Sequence, residues 1–292
     1  MFAISIPSLL PLAERERLAR GRRLTTGAAG RQIVWHTWQP EQAVPDRSPV
    51  VLFHGGSGSW THWVKNILPL LDAGRRVLAA DLPGFGDSDP PAGGADADAM
   101  VEPLAASLRT LLAGEAADVV GFSFGGMTAG LLLAAHPALA RRLVLVGAPA
   151  MGVAPGPPLD LKGWRHHATP QAQAEAHRHN LGVLMLHDRD LIDGLALEVH
   201  IANVQRDRLP RRRLSRTDAL ARSLPRVRCP VHAIYGVHDV LYRQRMPELE
   251  AALATAAPDF RGLRLIEEAG HWVQFEAPEV FDVALRAALD SA

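Results

Sequence analysis

Gly121-Phe122-Ser123-Phe124-Gly125-Gly126 is the stretch that decides the fold, because it joins a strand-like run to a helical one. The strand-like run 118–122, apolar after Asp118, leads into it, and residues 125–135 that follow have helical spacing. A serine on so sharp a strand-to-helix turn takes strained backbone angles, so its flanking positions must be small. The context therefore predicts a nucleophile elbow that presents the Ser123 hydroxyl at the edge of a sheet.

Further strand-like runs occur on both sides of this turn, with helical stretches between them and turn residues at their ends. Apolar runs that alternate with helices predict an α/β fold with a mostly parallel sheet covered on both faces. The predicted strands are residues 50–53, 76–80, 118–122, 143–146, 231–235 and 263–266, and the predicted helices include 99–113 and 125–135.

The alternation fails between residues 151 and 225. This segment opens with Ala154-Pro155-Gly156-Pro157-Pro158 and continues with helical patterns rich in His, Leu and Arg. We interpret it as a helical cap inserted between two strands of one sheet. The predicted organisation is a core in two parts, residues 1–150 and 226–292, with the cap at 151–225.

The composition excludes several classes of partner. The 292 residues carry 31 basic and 31 acidic side chains, and this balance argues against nucleic acid or an anionic membrane as a partner. The single cysteine, Cys229, fits a reducing compartment and a buried structural role. No apolar run approaches the ~18 residues of a membrane span. Residues 1–13 lack the basic segment of a signal peptide, so we expect a cytoplasmic protein.

A serine hydroxyl is a weak nucleophile and needs a base. His271, in Glu268-Ala269-Gly270-His271-Trp272, follows the last strand-like run and can reach the carboxyl edge of the sheet, where open α/β sheets bind ligands. Asp239 follows the preceding strand in the same manner, whereas the loop Gly147-Ala148-Pro149 holds no carboxylate. The order Ser, Asp, His is that of one triad class, so Asp239 is predicted to orient His271.

The oxyanion of the tetrahedral intermediate needs preorganised donors. The N–H of Phe124, directly after the nucleophile, is one candidate. The other is the N–H of Gly56 in His54-Gly55-Gly56-Ser57-Gly58, whose glycines let the backbone approach a substrate closely. A phosphate-binding loop is the alternative for this segment, but no Lys-Ser/Thr follows it and no G-x-G-x-x-G spacing is present.

With these motifs in place, the chain resembles the α/β-hydrolase family over nearly its whole length. His54-Gly55-Gly56 looks like the oxyanion loop, Asp81-Leu82-Pro83-Gly84-Phe85-Gly86-Asp87-Ser88 like the loop after strand four, residues 121–126 like the elbow, and Gly270-His271 like the histidine loop. The resemblance implies a core with a helical cap and a serine hydrolase activity without a cofactor. Because position 123 is serine, the aspartate-nucleophile branches are excluded.

Within that family, Gly270-His271-Trp272 and residues 184–192 resemble the enzymes that cleave carbon–carbon bonds in ring-fission products. Those enzymes usually carry Asn where this chain has Phe122, and a cap arginine that grips the substrate carboxylate where it has His200. Trp63 matches a tryptophan that follows the oxyanion loop, but the polar Asn after it is replaced near Lys65. The residues that we expect to contact substrate are Gly55, Trp63, Phe122, Met185, His200 and Trp272.

Three functions follow from this reading. The favoured one is hydrolysis of a small, fairly apolar carboxylic ester through an acyl-enzyme. Carbon–carbon hydrolysis of a dienoic diketo acid is the enzymatic alternative, and a ligand-binding protein on the same scaffold is the alternative of another class. The expected partner is a small-molecule substrate, and the sequence leaves homo-oligomerisation open.

Two clusters in the predicted cap are candidate binding sites. His166, His167, His177 and His179 have no acidic partner at a dependable ligand spacing, so they are predicted to lie on solvated helix faces and no metal is expected. Arg211-Arg212-Arg213 could grip an anion, but the neutral charge of the whole chain favours a solvated segment.

Overall fold

An eight-stranded sheet runs through the residues that the computed structural model describes, which are 4–45, 47–154, 156–209 and 211–291. Pro155, in the run that opens the predicted cap, lies outside them, as do the first three residues of the apolar N-terminus. The strands are β1 (Arg22–Thr26), β2 (Ile33–Trp38), β3 (Val50–Phe53), β4 (Val77–Ala80), β5 (Ala117–Phe122), β6 (Ala140–Val146), β7 (Val231–Gly236) and β8 (Phe260–Ile266).

The strand order is β1-β2-β4-β3-β5-β6-β7-β8, and the sheet is mostly parallel as predicted. Strands β3 to β8 pair in parallel, whereas β2 pairs antiparallel with both β1 and β4. The six predicted strands are β3 to β8. The sequence analysis missed the β1–β2 pair, because β1 is a short polar edge strand and all six residues of β2 are buried without polar–apolar alternation.

Helices cover both faces of the sheet. The helices in the described residues are α1 (Leu12–Leu18), α2 (Ile67–Asp72), α3 (Val101–Leu112), α4 (Phe124–Ala135), α5 (Pro170–Asn180), α6 (Leu195–Val204), α7 (Ala219–Ser223), α8 (Met246–Ala256), α9 (Val273–Glu276) and α10 (Pro278–Asp290). Val51 and Phe53 of β3 pack into one core with α3, α4 and α8, and Val50 and Leu52 pack into a second core with α2 and α10. Successive strand residues thus feed opposite cores, as the pleat requires.

The segment 151–225 contributes helices α5, α6 and α7, and its described residues include no strand of the sheet. A π-helical turn at Leu181–Met185 follows α5 directly. Leu181, Met185 and Val199 pack into the core that contains α2 and α10, while Leu220 of α7 packs into the core that contains α4. The segment therefore covers the sheet without extending it, and the division of the chain at 150 and 225 stays a prediction.

The structure bears on two expectations from the sequence: the buried structural role of Cys229 and the lack of a membrane-spanning run. Cys229 is buried, and this burial raises the pKa of its thiol to about 11, which fits the predicted structural role. None of the helices in the described ranges combines the length and the apolar character that crossing a membrane requires.

Candidate active site

Ser123 stands between β5, which ends at Phe122, and α4, which begins at Phe124. Its backbone has φ +50° and ψ −119°, a conformation that side chains rarely adopt. A Cβ on Gly121 would lie 2.5 Å from the carbonyl oxygen of Gly125, and one on Gly125 would collide with the carbonyl oxygen of His54. Only glycines fit these two positions, so the predicted elbow forms with Ser123 at the carboxyl end of β5.

Three side chains predicted from separate loops form one hydrogen-bonded chain. The Oγ of Ser123 lies 2.9 Å from Nε2 of His271, and Nδ1 of His271 lies 2.9 Å from Oδ2 of Asp239. The other carboxylate oxygen of Asp239 accepts the N–H of Leu241 at 3.0 Å. With Nδ1–H donated to Asp239, Nε2 is left as an acceptor for the serine proton.

The carboxyl ends of the four neighbouring strands β5 to β8 bring this chain of groups together. Asp239 follows β7 and His271 follows β8, and the two loops are joined where the N–H of His238 donates to the carbonyl of Ala269 at 2.9 Å. Gly147, after β6, has φ +54°, and a Cβ there would lie 3.2 Å from both Asp239 Oδ2 and His271 Nδ1. His271 and Asp239 are almost fully buried.

Two backbone N–H groups beside Ser123 can act as oxyanion donors. In the described part of the chain, neither the N–H of Gly56 nor that of Phe124 has a hydrogen-bond acceptor. The two residues are neighbours, since a Cβ built on Gly56 would lie 3.7 Å from the Cβ of Phe124. Unpaired donors fixed on adjacent elements are suited to a negative charge that develops next to Ser123.

The loop that carries Gly56 is held by the loop after β4. The buried His54 imidazole donates from Nδ1 to the carbonyl of Gly55 at 2.7 Å and accepts the N–H of Leu82 at 2.9 Å. Burial lowers the pKa of His54 to about 4, so the ring is neutral at pH 7. The Asp81 carboxylate accepts the N–H of Trp60 at 2.9 Å. Burial opposes its ionisation, but contacts with His36 and backbone N–H groups hold its pKa at about 2.

Residues 203–212 hold the same loop from the other side. The Ser57 hydroxyl donates to Asp207 at 2.5 Å, and the Ser59 hydroxyl donates to Oδ1 of Asn203 at 2.7 Å. Arg212 donates from Nη1 to both oxygens of Asp207 at 2.9 and 3.0 Å, and from Nη2 to the Ser57 hydroxyl at 3.2 Å. The geometry of the oxyanion loop thus depends on the predicted cap.

Arg212 corrects one prediction, because it does not belong to a solvated arginine run. Its side chain is only 17% exposed, and its guanidinium lies 4.9 Å from the ring centre of Phe85 and 5.5 Å from that of Phe124. Nη2 lies 3.4 Å from the place a Cβ on Gly56 would occupy. The ion pair with Asp207 and the aromatic rings replace hydration, and the positive charge stands beside the two candidate oxyanion donors.

His62 is a residue of the site that the sequence analysis missed. Its ring lies 5.5 Å from that of Phe122 and 4.9 Å from that of Trp272, and its Nδ1 accepts the N–H of Gly55 at 3.2 Å. Burial lowers the pKa of His62 well below its usual value, so the ring is neutral at pH 7. The available signal is its place in the sequence just after the glycines of the oxyanion loop, between Gly58 and Lys65. Lys65 instead donates to the carbonyl of Phe275 at 2.8 Å.

The cap histidines are only partly as predicted. His177 is buried, with its ring 5.0 Å from Trp164 and 5.2 Å from His200, so its assignment to a solvated helix face is wrong. Burial between apolar neighbours lowers the pKa of His177, and burial together with the charge that His177 would carry lowers the pKa of His200 to about 3. Both rings are therefore neutral at pH 7.

The other residues predicted to contact substrate surround the triad at different depths. Phe122 lies with its ring 5.0 Å from that of His271, and a Cβ on Gly55 would lie 3.3 Å from the Cβ of Ser123. Trp63 is fully buried and contacts Phe122 at a ring distance of 6.5 Å. Trp272 is also fully buried; its backbone N–H donates to the carbonyl of Met185 at 2.8 Å, and its indole N–H donates to the carbonyl of His62 at 3.1 Å. Their roles toward substrate stay predictions.

A cleft of about 260 Å³ adjoins His271 and is lined from the cap by Met185 and His187 and from the core by His238. Potential metal ligands gather at its rim, since one donor atom each from His187, His238 and Glu268 lies within 4.8 Å of the others. These three residues are far apart along the chain, so no local sequence pattern predicts the cluster.

Residues 48–182 match a family model described as alpha/beta hydrolase fold. The chain is 31% identical over 241 residues to 2-hydroxymuconate semialdehyde hydrolase of Pseudomonas sp. (strain CF600), covering 78% of this chain and 82% of that protein. It is 27% identical over 254 residues to 2-hydroxy-6-oxo-6-phenylhexa-2,4-dienoate hydrolase of Burkholderia cepacia, covering 80% and 84%. The solved carboxylesterase CesB from Bacillus subtilis superposes with a TM-score of 0.74 at 19% identity, covering 96% of each chain, a likeness of fold alone.

Proposed function

We propose that this chain, which belongs to the alpha/beta hydrolase family, hydrolyses a small, fairly apolar carboxylic ester through an acyl-enzyme on Ser123. The observation that carries the proposal is the uncharged wall next to the triad. Phe122 lies against His271, and burial keeps His62 and His200 neutral. An apolar acyl group loses nothing by packing against these groups, whereas a carboxylate there would be desolvated, and the nearby Arg212 guanidinium is already paired with Asp207.

In the proposed mechanism, His271 Nε2 takes the hydroxyl proton of Ser123 as Oγ attacks the acyl carbon. Asp239 stabilises the imidazolium, and the N–H groups of Gly56 and Phe124 bind the oxyanion. Collapse of this intermediate expels the alcohol, which leaves with the proton from His271. The oxygen of a water molecule then attacks the acyl carbon as the water gives a proton to His271. The second collapse releases the acid and returns the proton to Ser123.

Carbon–carbon hydrolysis is the second candidate, and the curated relatives named above favour it. Both are hydrolases of dienoate or semialdehyde compounds by their names. Such an activity needs polar groups that bind the substrate carboxylate. The chain lacks the expected polar residue at two of these positions. Phe122 stands in place of Asn, and the neutral His200 stands in place of the cap arginine.

Turnover of a substrate panel tests the two candidates directly. We expect kcat/KM to be higher for short and medium p-nitrophenyl esters than for a ring-fission dienoate, both measured on the same purified protein. A higher kcat/KM for the dienoate than for every ester would replace the first proposal with the second. Titration with a serine-reactive phosphonate separates both from a ligand-binding protein, for which we would expect labelling of Ser123 with almost no turnover.

A further inference from the structure

In the cleft that adjoins His271, imidazoles from two distant parts of the chain lie face to face. His187, just after the π-helical turn of the predicted cap, and His238, in the loop after β7, have ring centres 3.6 Å apart and planes 10° from parallel. The His187 ring belongs to an exposed residue and the His238 ring to a half-buried one, so burial of apolar surface contributes little to their pairing. The arrangement places two nitrogen donors side by side.

A carboxylate completes this group. Glu268, in the turn after β8, has φ +54° and offers an oxygen within 4.8 Å of a ring nitrogen of each histidine. Two imidazoles and one carboxylate form a ligand set that suits Zn²⁺, which often takes three protein ligands and leaves a fourth position to water. Bound Zn²⁺ needs shorter ligand separations than these, but the exposed side chains of His187 and Glu268 can change rotamer at little cost.

The backbones that carry the three donors are already fixed to one another. The Glu276 carboxylate accepts the N–H of Asp188 at 2.5 Å and the N–H of Gly270 at 2.7 Å, which ties the segment around His187 to the histidine loop. The N–H of His238 donates to Ala269, next to Glu268. A site built on such anchored segments requires side-chain adjustment alone, so little of the binding free energy goes into ordering the chain.

We propose that His187, His238 and Glu268 form a binding site for a divalent cation of the Zn²⁺ class. The ion cross-links the predicted cap to the two loops that carry Asp239 and His271, at the rim of the cleft beside His271. It takes no part in the proposed ester chemistry, because its ligands are distinct from the triad and the oxyanion donors. The site thus adds a metal-dependent connection between cap and core.

Equilibrium dialysis of the full-length protein against Zn²⁺, with the metal counted by mass spectrometry, tests the stoichiometry. We expect one tightly bound ion per chain. His187→Ala and His238→Ala should each weaken binding by about 100-fold or more and Glu268→Gln by about 10-fold or more, since losing even a supporting group at a metal site costs about 10–100-fold. The matched controls Glu267→Gln, on the adjacent exposed carboxylate, and His166→Ala, on an exposed cap histidine, should bind as tightly as the wild type.

Two further measurements keep the test independent of activity and of folding. Co²⁺ in the wild type should give the visible absorption of a four-coordinate site with nitrogen and oxygen ligands, and this spectrum should be lost in His187→Ala. Zn²⁺ should slow amide hydrogen exchange around residues 186–188 in the wild type and leave it unchanged in folded His238→Ala. Wild-type affinity retained in His187→Ala or His238→Ala, or no metal-dependent protection in the wild type, would overturn the proposal.

Discussion

Ser123 is held in a backbone conformation that costs on the order of 1–3 kcal/mol. Two backbone hydrogen bonds maintain this conformation. The N–H of Ser123 donates to the carbonyl of Val146 at the end of β6 at 2.7 Å, and the carbonyl of Ser123 accepts the N–H of Gly126 at the start of α4 at 2.9 Å. The strain directs the hydroxyl toward His271. A strained backbone that nevertheless directs a hydroxyl to a hydrogen bond with a base is the arrangement expected of a nucleophile.

Replacement of this nucleophile gives the first prediction. Ser123→Ala should lower kcat for p-nitrophenyl ester hydrolysis by roughly 10⁶-fold, as loss of the nucleophile does in a comparable triad. The fold should be unaffected, because alanine occupies the same space without the hydroxyl. The measurement is steady-state hydrolysis by the purified variant, with circular dichroism as the control. Retention of more than a tenth of wild-type activity would remove Ser123 from the mechanism.

The acid gives the second prediction. Asp239→Asn should lower kcat by roughly 10⁴-fold with little change in KM, because an amide in place of the carboxylate favours the wrong histidine tautomer and cannot stabilise the imidazolium. Asp87→Asn and Asp188→Asn are the controls, since the structure places both side chains outside the hydrogen-bonded chain of Ser123, His271 and Asp239. A larger loss of kcat in either control than in Asp239→Asn would move the acid to another loop.

At the scale of structural elements, the oxyanion loop is held from two sides. The loop after β4 fixes it through Asp81 and His54, and residues 203–212 fix it through Asn203, Asp207 and Arg212. A cap that contributes to the position of an oxyanion donor couples its own packing to the rate of the chemical step. Changes in this segment should therefore affect kcat as well as substrate binding.

Arg212 allows a direct measurement of that coupling. Arg212→Gln should lower kcat about tenfold with a smaller change in KM, less than the 10²–10³-fold that loss of a direct oxyanion donor costs. Arg212→Lys, which keeps the charge, should recover part of the loss. Arg211→Gln is the matched control, because Arg211 is exposed. A loss that appears only in KM, or one that Lys does not lessen, would assign Arg212 a different role.

At the scale of the whole molecule, a buried carboxyl joins the start of α2 to α10, across a sequence separation of 216 residues. Asn66, just before α2, donates to Asp282 of α10 at 2.9 Å and to the carbonyl of Gln274 at 3.1 Å. Burial raises the pKa of Asp282 to about 7, with a smaller contribution from Glu279, while Asn66 and Arg286 oppose the shift. The folded protein therefore holds a proton that the unfolded chain releases above its ordinary pKa of 3.8.

The sign of the resulting pH dependence follows from linkage. A carboxyl whose pKa is raised on folding stabilises the protein below its unfolded pKa, and this stability is lost as the pH rises through about 7. The free energy of unfolding of the wild type should fall relative to that of Asp282→Asn by up to about 2.5 kcal/mol between pH 5 and 8. Urea titrations of both proteins across this range measure it. If the free energy of unfolding of the wild type did not fall relative to that of Asp282→Asn, Asp282 would be ionised in the folded state throughout this pH range.

The elbow, the triad order and strands β3 to β8 could be read from the sequence because each depends on neighbouring residues. Gly121 and Gly125 indicate a tight turn, because the steric limits on that turn come from residues close to it in the sequence. Apolar runs between turn residues indicate buried parallel strands. The carboxyl ends of such strands meet at one edge of the sheet. Asp239 and His271 could therefore be placed near Ser123 from chain order alone.

The side chains that surround this triad were decided by contacts between residues far apart in the chain. Arg212 is mostly buried because the rings of Phe85 and Phe124, from distant parts of the chain, replace its water together with the nearby Asp207. His177 is buried because Trp164 and His200 cover it. His62 is neutral for a similar reason, and His187, His238 and Glu268 become neighbours only when the cap packs on the core. Burial and charge depend on what packs against a side chain, and local sequence patterns carry no information about a partner a hundred residues away.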